Sequence, residues 1–227
     1  MALNNPFALS FDGVDDYGSH PADPALNAQE HTIEFWIKPS MDSVYMPVFC
    51  LTSSQSSYPA VMVRIVNGKI QYYMRSGTSR AVSVDSYVSL VEDGIYHVAA
   101  TYTGAQLQLY INGTLDNSLS SSHTVSANTG MYLGSFLDQR YAGVLDELRF
   151  WSYARTQEQI QTDMRKTLAG TEAGLALYYR CDEGTGATLV DSSPNGLDAM
   201  IYGATWVPGL VDLDDLTPPG RVDISAH

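Results

Sequence analysis

The sequence is short of positive charge. Lysine and arginine together number 12 against 25 acidic residues, a formal net charge of -13. A nucleic-acid binder needs a basic footprint to displace counterions from phosphates, and this chain has none. An anionic membrane surface would repel it on average. Charged residues of any sign are only 16% of the chain. Cysteine is equally scarce: Cys50 and Cys181 match no zinc or redox spacing. Both lie in apolar, strand-like runs, which fits buried free thiols; a disulfide between neighbouring strands is the alternative. No stretch approaches the roughly 18 apolar residues of a membrane span. The opening MALNNPFALSFDG has neither a basic n-region nor a long apolar core, so it does not read as a signal peptide.

Catalytic patterns are also missing. There is no GxSxG, no P-loop, no dinucleotide fingerprint and no HExxH. Glycoside hydrolysis with retention needs two carboxylates about 5 Å apart, flanking the scissile bond. A Glu-x-Asp-x-x-Glu run on one strand would supply them, and none occurs. Asp146 and Glu147 are adjacent, so a regular strand would send them to opposite faces. Pairing of these acids with Arg149 or Arg155 is the plain structural expectation. His97 reads as structural.

What is present is a strand-rich, tyrosine-rich chain, with 15 tyrosines and 44% hydrophobic residues. That composition can bury a sizeable core. HTIEFWIKP alternates, with Ile33, Phe35 and Ile37 on one face. Asn67-Gly68 joins AVMVRIV to KIQYYMR, and Asn112-Gly113 joins QLQLYI to TLDNSL. Each pair supplies the positive φ angles of a type I′ hairpin turn. Asn112-Gly113-Thr114 also matches a glycosylation sequon, but the hairpin explains it sufficiently. About a dozen short strands with closely spaced turns and no βαβ rhythm predict an all-β sandwich. One helix is expected over about Gln157–Ala169, with a capping box at Thr156 and Gln159 and an apolar stripe of Ile160, Met164 and Leu168. After Pro208, the acidic and then proline-rich stretch 209–227 reads as a linker leading into a following domain.

Six segments stand in a telling order: SFDGVDDYG, TIEFWIKP, IYHVAATYTGAQLQLYINGTL, YLGS, GVLDELRFWSYARTQEQI and LALYYRCDEGTGATLVDSSPNG. Together they resemble the bacterial LamG-like (laminin G type) jelly rolls of the concanavalin A-like lectin/glucanase superfamily, over roughly residues 7 to 208. The resemblance implies a jelly-roll sandwich of two antiparallel sheets, one of them concave. It also implies an accessory module of a secreted or cell-surface protein, tethered to other domains, whose partner is a glycan or a surface protein. On this reading the chain is a non-catalytic recognition module, with carbohydrate as the favoured ligand. A structural spacer or protein-adhesion module is the alternative, and a glycan-cleaving enzyme is the third.

Two sets of site residues follow. Calcium takes six to eight oxygen ligands. FDGVDDY brings Asp12, Asp15 and Asp16 close together, and the resemblance sets the first strand beside DELRFW, making Asp146 the partner of Asp12 and Asp16. The alternative is that these aspartates cap turns; Asp182, Glu183 and Asp191 also read as turn residues. Resemblance to pentraxins, whose ligand calcium lies in loops, points to Asp138 and Gln139, although the loop SSQSSY brings no acid. Sugar rings stack on aromatic faces while their hydroxyls seek polar side chains. Tyr45, Tyr58, Tyr73, Arg75, Asp138, Arg140 and Tyr141 are the candidates for such a surface. Trp36, Trp151 and Trp206 are expected in the core, with a concave sheet face as the alternative for Trp36 and Trp151.

Overall fold

The fold comes from a computed structural model, which describes residues 5–53, 58–75 and 81–211. Two large antiparallel sheets pack face to face, as the sequence predicts. Sheet A runs in the order β10 (Thr114–Ser120), β9 (Gln106–Ile111), β8 (Tyr96–Tyr102), β3 (His31–Pro39), β14 (Ala142–Trp151), β1 (Phe7–Asp12) and β18 (Thr205–Pro208), with β15 (Leu175–Tyr179) also pairing with β14. Sheet B runs β16 (Thr188–Leu189), β17 (Ala199–Tyr202), β2 (Tyr17–Pro21), β11 (Gly130–Leu133), β4 (Tyr45–Thr52), β5 (Pro59–Val66), β6 (Lys69–Arg75) and β7 (Ala81–Ser89). A small hairpin of β12 (Ser135–Phe136) and β13 (Gln139–Arg140) stands apart from both.

Strand parity builds the core. Ile33, Phe35 and Ile37 of β3 point inward, facing Val61, Val63 and Ile65 of β5 and Ile70, Tyr72 and Met74 of β6. Both Asn-Gly pairs adopt positive φ (Asn67 at 50° and Gly68 at 74°, Asn112 at 51° and Gly113 at 75°), so each hairpin forms where its sequence asks. The apolar layer also holds a histidine. His31 is fully buried, stacked on Phe150 at 5.6 Å, and its Nε2 accepts the Tyr72 hydroxyl at 2.7 Å, joining the two sheets.

The helix is shorter than expected. α1 covers Gln157–Asp163 and has the full Thr156–Gln159 capping box. Its stripe nevertheless works as read: Ile160 is fully buried against Ala99 and Tyr110, and Met164 and Leu168 stay buried beyond the last helical turn. The segment 152–168 thereby covers the outer face of sheet A.

Beneath it lies a charged layer. Glu34 accepts from Trp151 Nε1 and Arg155 Nη1, each at 2.8 Å. Glu147 accepts from Arg149 Nη2 and the Tyr178 hydroxyl, each at 2.6 Å. Arg155 also pairs with Asp163 of α1. Removing one partner would leave an uncompensated buried charge, so the layer clamps the covering segment in place. Residues 209–211 continue along the sandwich: Gly209 N–H donates to Pro6 O at 3.3 Å and Leu210 N–H to Asp146 at 3.0 Å. The expected linker and following domain otherwise lie outside the described residues.

Candidate functional site

The outer face of sheet A is closed by residues 152–168, whereas among the described residues that of sheet B carries only the β12–β13 hairpin. The hairpin packs on β4: Phe136 covers Cys50 and Met62, with Tyr45 and Tyr73 at the edges of the cluster. Beside it opens a pocket of about 360 Å³, within the usual range for ligand sites. Tyr17, Thr52 and Tyr132 form its floor, and Ser135, Phe136, Leu137 and Arg140 its hairpin wall. The register explains the tyrosines. Tyr202 opposes Tyr17 across β17 and β2, and Tyr132 lies on the next strand between inward-facing Met131 and Leu133. Tyr17 stacks on Tyr202 at 4.5 Å and an interplanar angle of 14°, and Tyr132 lies 6.5 Å from Tyr17. The result is a row of three rings on a sheet face that no described segment covers there.

Of the expected ligand residues, the structure brings Arg140 to this pocket, while Tyr45 and Tyr73 pack against the Cys50–Met62–Phe136 cluster and do not line it. These two tyrosines hold the Arg64 guanidinium over their rings, at 4.4 and 5.1 Å from the centroids. Tyr58 lies under Arg75 at 3.6 Å, near the start of β5, and does not line the pocket. Asp138 sits exposed at the hairpin tip. Tyr141 must be corrected. It is fully buried, edge-on to Phe11 at 5.8 Å, with its hydroxyl donating to Val144 O, so it is a core residue. Tyr17, Tyr132, Tyr202 and Arg64 were missed. Tyr132, Tyr202 and Arg64 follow strand parity outward from an inward apolar neighbour, whereas Tyr17 stands between Asp16 and Gly18; parity locates a face but not which face stays open.

The aspartate set divides. Asp12, Asp15 and Asp16 each offer a carboxylate oxygen, and these atoms lie within 4.8 Å of one another. Asp12 accepts from Val14 N–H at 2.7 Å and Asp16 from Asp12 N–H at 2.8 Å, so the loop uses them as turn braces as well. Burial raises the Asp16 carboxyl above its ordinary range, against the Asp12 N–H bond; the Asp12 and Asp15 charges add to the rise.

Asp146 does not join this group. Asp12 pairs with Ala142 and Asp146 with Trp36, four residues further along β14, a separation of about 13 Å along the strand. Asp146 is instead fully buried and accepts from Asn5 Nδ2 at 2.6 Å and from Leu210 N–H. Burial pushes its carboxyl up to about 8; those two hydrogen bonds oppose the shift, while the Glu147 and Asp182 charges reinforce it. A bulge between Asp146 and Arg149, with Glu147 at φ 51°, keeps both adjacent acids out of the apolar core, against the opposite-face expectation for a regular strand.

Other groups singled out in the sequence have structural roles. Cys50 and Cys181 are buried free thiols. His97 is buried edge-on to Trp36 at 5.2 Å, and burial, followed by the charges of Arg149, Arg155 and Arg165, drives its ring well below its ordinary range. Trp36 and Trp151 lie on the covered face of sheet A, where Trp36 Nε1 donates to Met164 O at 2.8 Å. Asp191 accepts from Tyr178, Ser193 and Leu197 N–H groups, a turn role as expected.

The model of the laminin G type domain described as "Concanavalin A-like lectin/glucanases superfamily" matches residues 12–161. Mouse pappalysin-1 is 30% identical over 104 residues, covering 41% of this chain and only 6% of the relative. Among solved structures, a Bacteroides ovatus protein assigned to carbohydrate binding superposes with a TM-score of 0.75 at 20% identity, over 94% of this chain and 62% of the other. A heptameric SAP-like pentraxin from Limulus polyphemus gives 0.65 at 15% identity, over 93% and 98%. At these identities the structural likeness speaks for the fold.

Proposed function

The chain belongs to the concanavalin A-like lectin/glucanase superfamily, and from that premise we propose that it is a non-catalytic recognition module of a secreted or surface multidomain protein, binding a glycan in the Tyr17–Tyr132–Arg140 pocket. One observation carries the reading. The sheet face left uncovered presents a row of tyrosine rings beside a polar, hairpin-walled pocket, a surface suited to stacking a sugar ring and bonding its hydroxyls. The Bacteroides ovatus neighbour supports the ligand class. Glu34 and Glu147 are each engaged by arginine beneath the covering segment, which supports a non-catalytic role for them.

Calcium belongs to the same proposal. Asp12, Asp15 and Asp16 would supply carboxylates to it, and the loop they occupy leads directly into Tyr17. The chemistry fits, since carboxylate oxygens are the ligands a hard cation takes. Its role would be to hold that wall of the pocket.

A glycan array probed with the protein in calcium and again in EDTA tests the function. Binding in calcium, lost in Tyr132→Ala, is the expected result; no binding under either condition would count against it. The calcium assignment is read separately, as a thermal shift on calcium addition that Asp15→Asn diminishes. A second reading, a protein-adhesion surface, is favoured by exposed Tyr87, Val91 and Ile95 along and beyond β7. Retention of partner-cell adhesion by Tyr132→Ala would support it.

A further inference from the structure

Among the described residues the pocket holds one charged side chain, and its hydrogen bonds leave it incomplete. Arg140 Nη1 donates to the carbonyls of Leu137 at 2.7 Å and Gln139 at 3.0 Å, both in its own hairpin. Those bonds fix the guanidinium plane against the pocket wall. The other edge of the fork is unmet. Nε is shielded from water without a hydrogen-bond partner, and Nη2 has no partner among the described residues. No carboxylate lines the pocket, and Arg140 forms no ion pair among the described residues. Arg64, Arg165 and Arg180 also lack an ion pair among the described residues, but none of them lines this pocket.

In a chain of net charge -13, an arginine facing a pocket with no carboxylate among its described lining is placed to receive an anion. Nη2 is left to donate a charge-assisted hydrogen bond to an oxyanion such as a carboxylate or sulfate. The guanidinium is held before any ligand arrives, so less ordering opposes binding. The acidic loop Asp12–Asp16 leads into Tyr17 of the pocket floor, and Asp16 is turned into its own loop through the Asp12 N–H.

We propose that the ligand of this pocket carries an oxyanion, a carboxylate or sulfate on a sugar, which docks on Arg140 while the sugar ring lies against Tyr17 and Tyr132. The proposal rests on the reading of this pocket as the glycan site. It makes Arg140 the specificity-determining residue and the tyrosines the general stacking surface.

The test is an array holding neutral, uronate-bearing, sialylated and sulfated glycans, probed with wild type, Arg140→Gln, Arg140→Lys and Tyr132→Ala. The expected result is binding concentrated on carboxylated or sulfated glycans, the two classes being separated by the array itself. Arg140→Gln should weaken it ten-fold or more, about what loss of a charged hydrogen bond produces. Arg140→Lys should retain part of it, and Tyr132→Ala should abolish it. Thermal melts of each variant identify any that has lost its fold, and the Lys variant then carries the comparison. Preference for neutral glycans, sensitive to Tyr132→Ala but not to Arg140→Gln, would overturn the anionic ligand and leave the glycan reading standing. Anionic binding indifferent to both Arg140 variants would place the anion elsewhere and overturn the proposal. Binding to no glycan would overturn both readings.

Discussion

His31 should make the stability of this domain depend on pH in a way a single substitution can isolate. The ring is fully buried between the sheets, and its hydrogen bonds suit the neutral form: Nδ1 faces Ala28 O at 3.2 Å and Nε2 accepts from Tyr72. Burial lowers the imidazole from its ordinary 6.5 to about 4, partly opposed by the backbone carbonyls of Ala28 and Gln29. Between those values the unfolded chain takes a proton that the folded chain refuses. Stability therefore falls as pH drops from about 6.5 toward 4, and His31 adds no further loss below the folded value. That lowering corresponds to ~3 kcal/mol. Asp146 slopes the other way, because its raised carboxyl favours the folded state most at low pH and loses that advantage as pH rises toward about 8. The raw profile therefore mixes opposed effects. The informative quantity is wild type minus His31→Gln, measured by urea unfolding at a series of pH values. The substitution shifts the whole curve through lost packing, but only His31 titration bends the difference. That difference should shrink by ~3 kcal/mol between pH 7.5 and 4. A difference flat across this range would refute the assignment of His31 as a buried neutral base.

Arg155→Ala should cost about 3–5 kcal/mol in urea unfolding, because Glu34 keeps its burial and loses its principal charge partner; a cost below about 1 kcal/mol would show that the layer under residues 152–168 is not clamping them. Gly143→Ala should destabilise by more than about 2 kcal/mol, since φ is 138° and a Cβ there would lie 2.5 Å from Lys38 O and 2.8 Å from Pro39 Cα. Native alkylation should modify neither Cys50 nor Cys181, whereas denaturant should expose both without reductant, the burial of each thiol having raised it above its ordinary range; mass spectrometry counts the adducts.

The local rules were legible from the chain alone. Alternation in HTIEFWIKP placed Ile33, Phe35 and Ile37 inward, the two Asn-Gly pairs set their hairpins, and Thr156 with Gln159 set the start of α1, because each depends on neighbours only a few residues away. Side-chain parity also separates Tyr72 from Tyr73, one buried in the core and the other outward beside Arg64. What parity leaves open is which face is buried, and long-range contact decided that. Residues 152–168 close the outer face of sheet A, so Trp36, Glu34 and Arg149 became interior while the outward tyrosines of sheet B, Tyr17, Tyr132 and Tyr202, stayed accessible. Antiparallel register put Ala142, not Asp146, beside Asp12, and so split a metal set that had looked whole. Tyr141, one residue beyond Arg140 at the end of the hairpin, turned into the core while Arg140 turned to the pocket. A periodic sequence specifies two faces; only the packing of distant segments specifies which one meets solvent, and the candidate site lies on the face that packing left open.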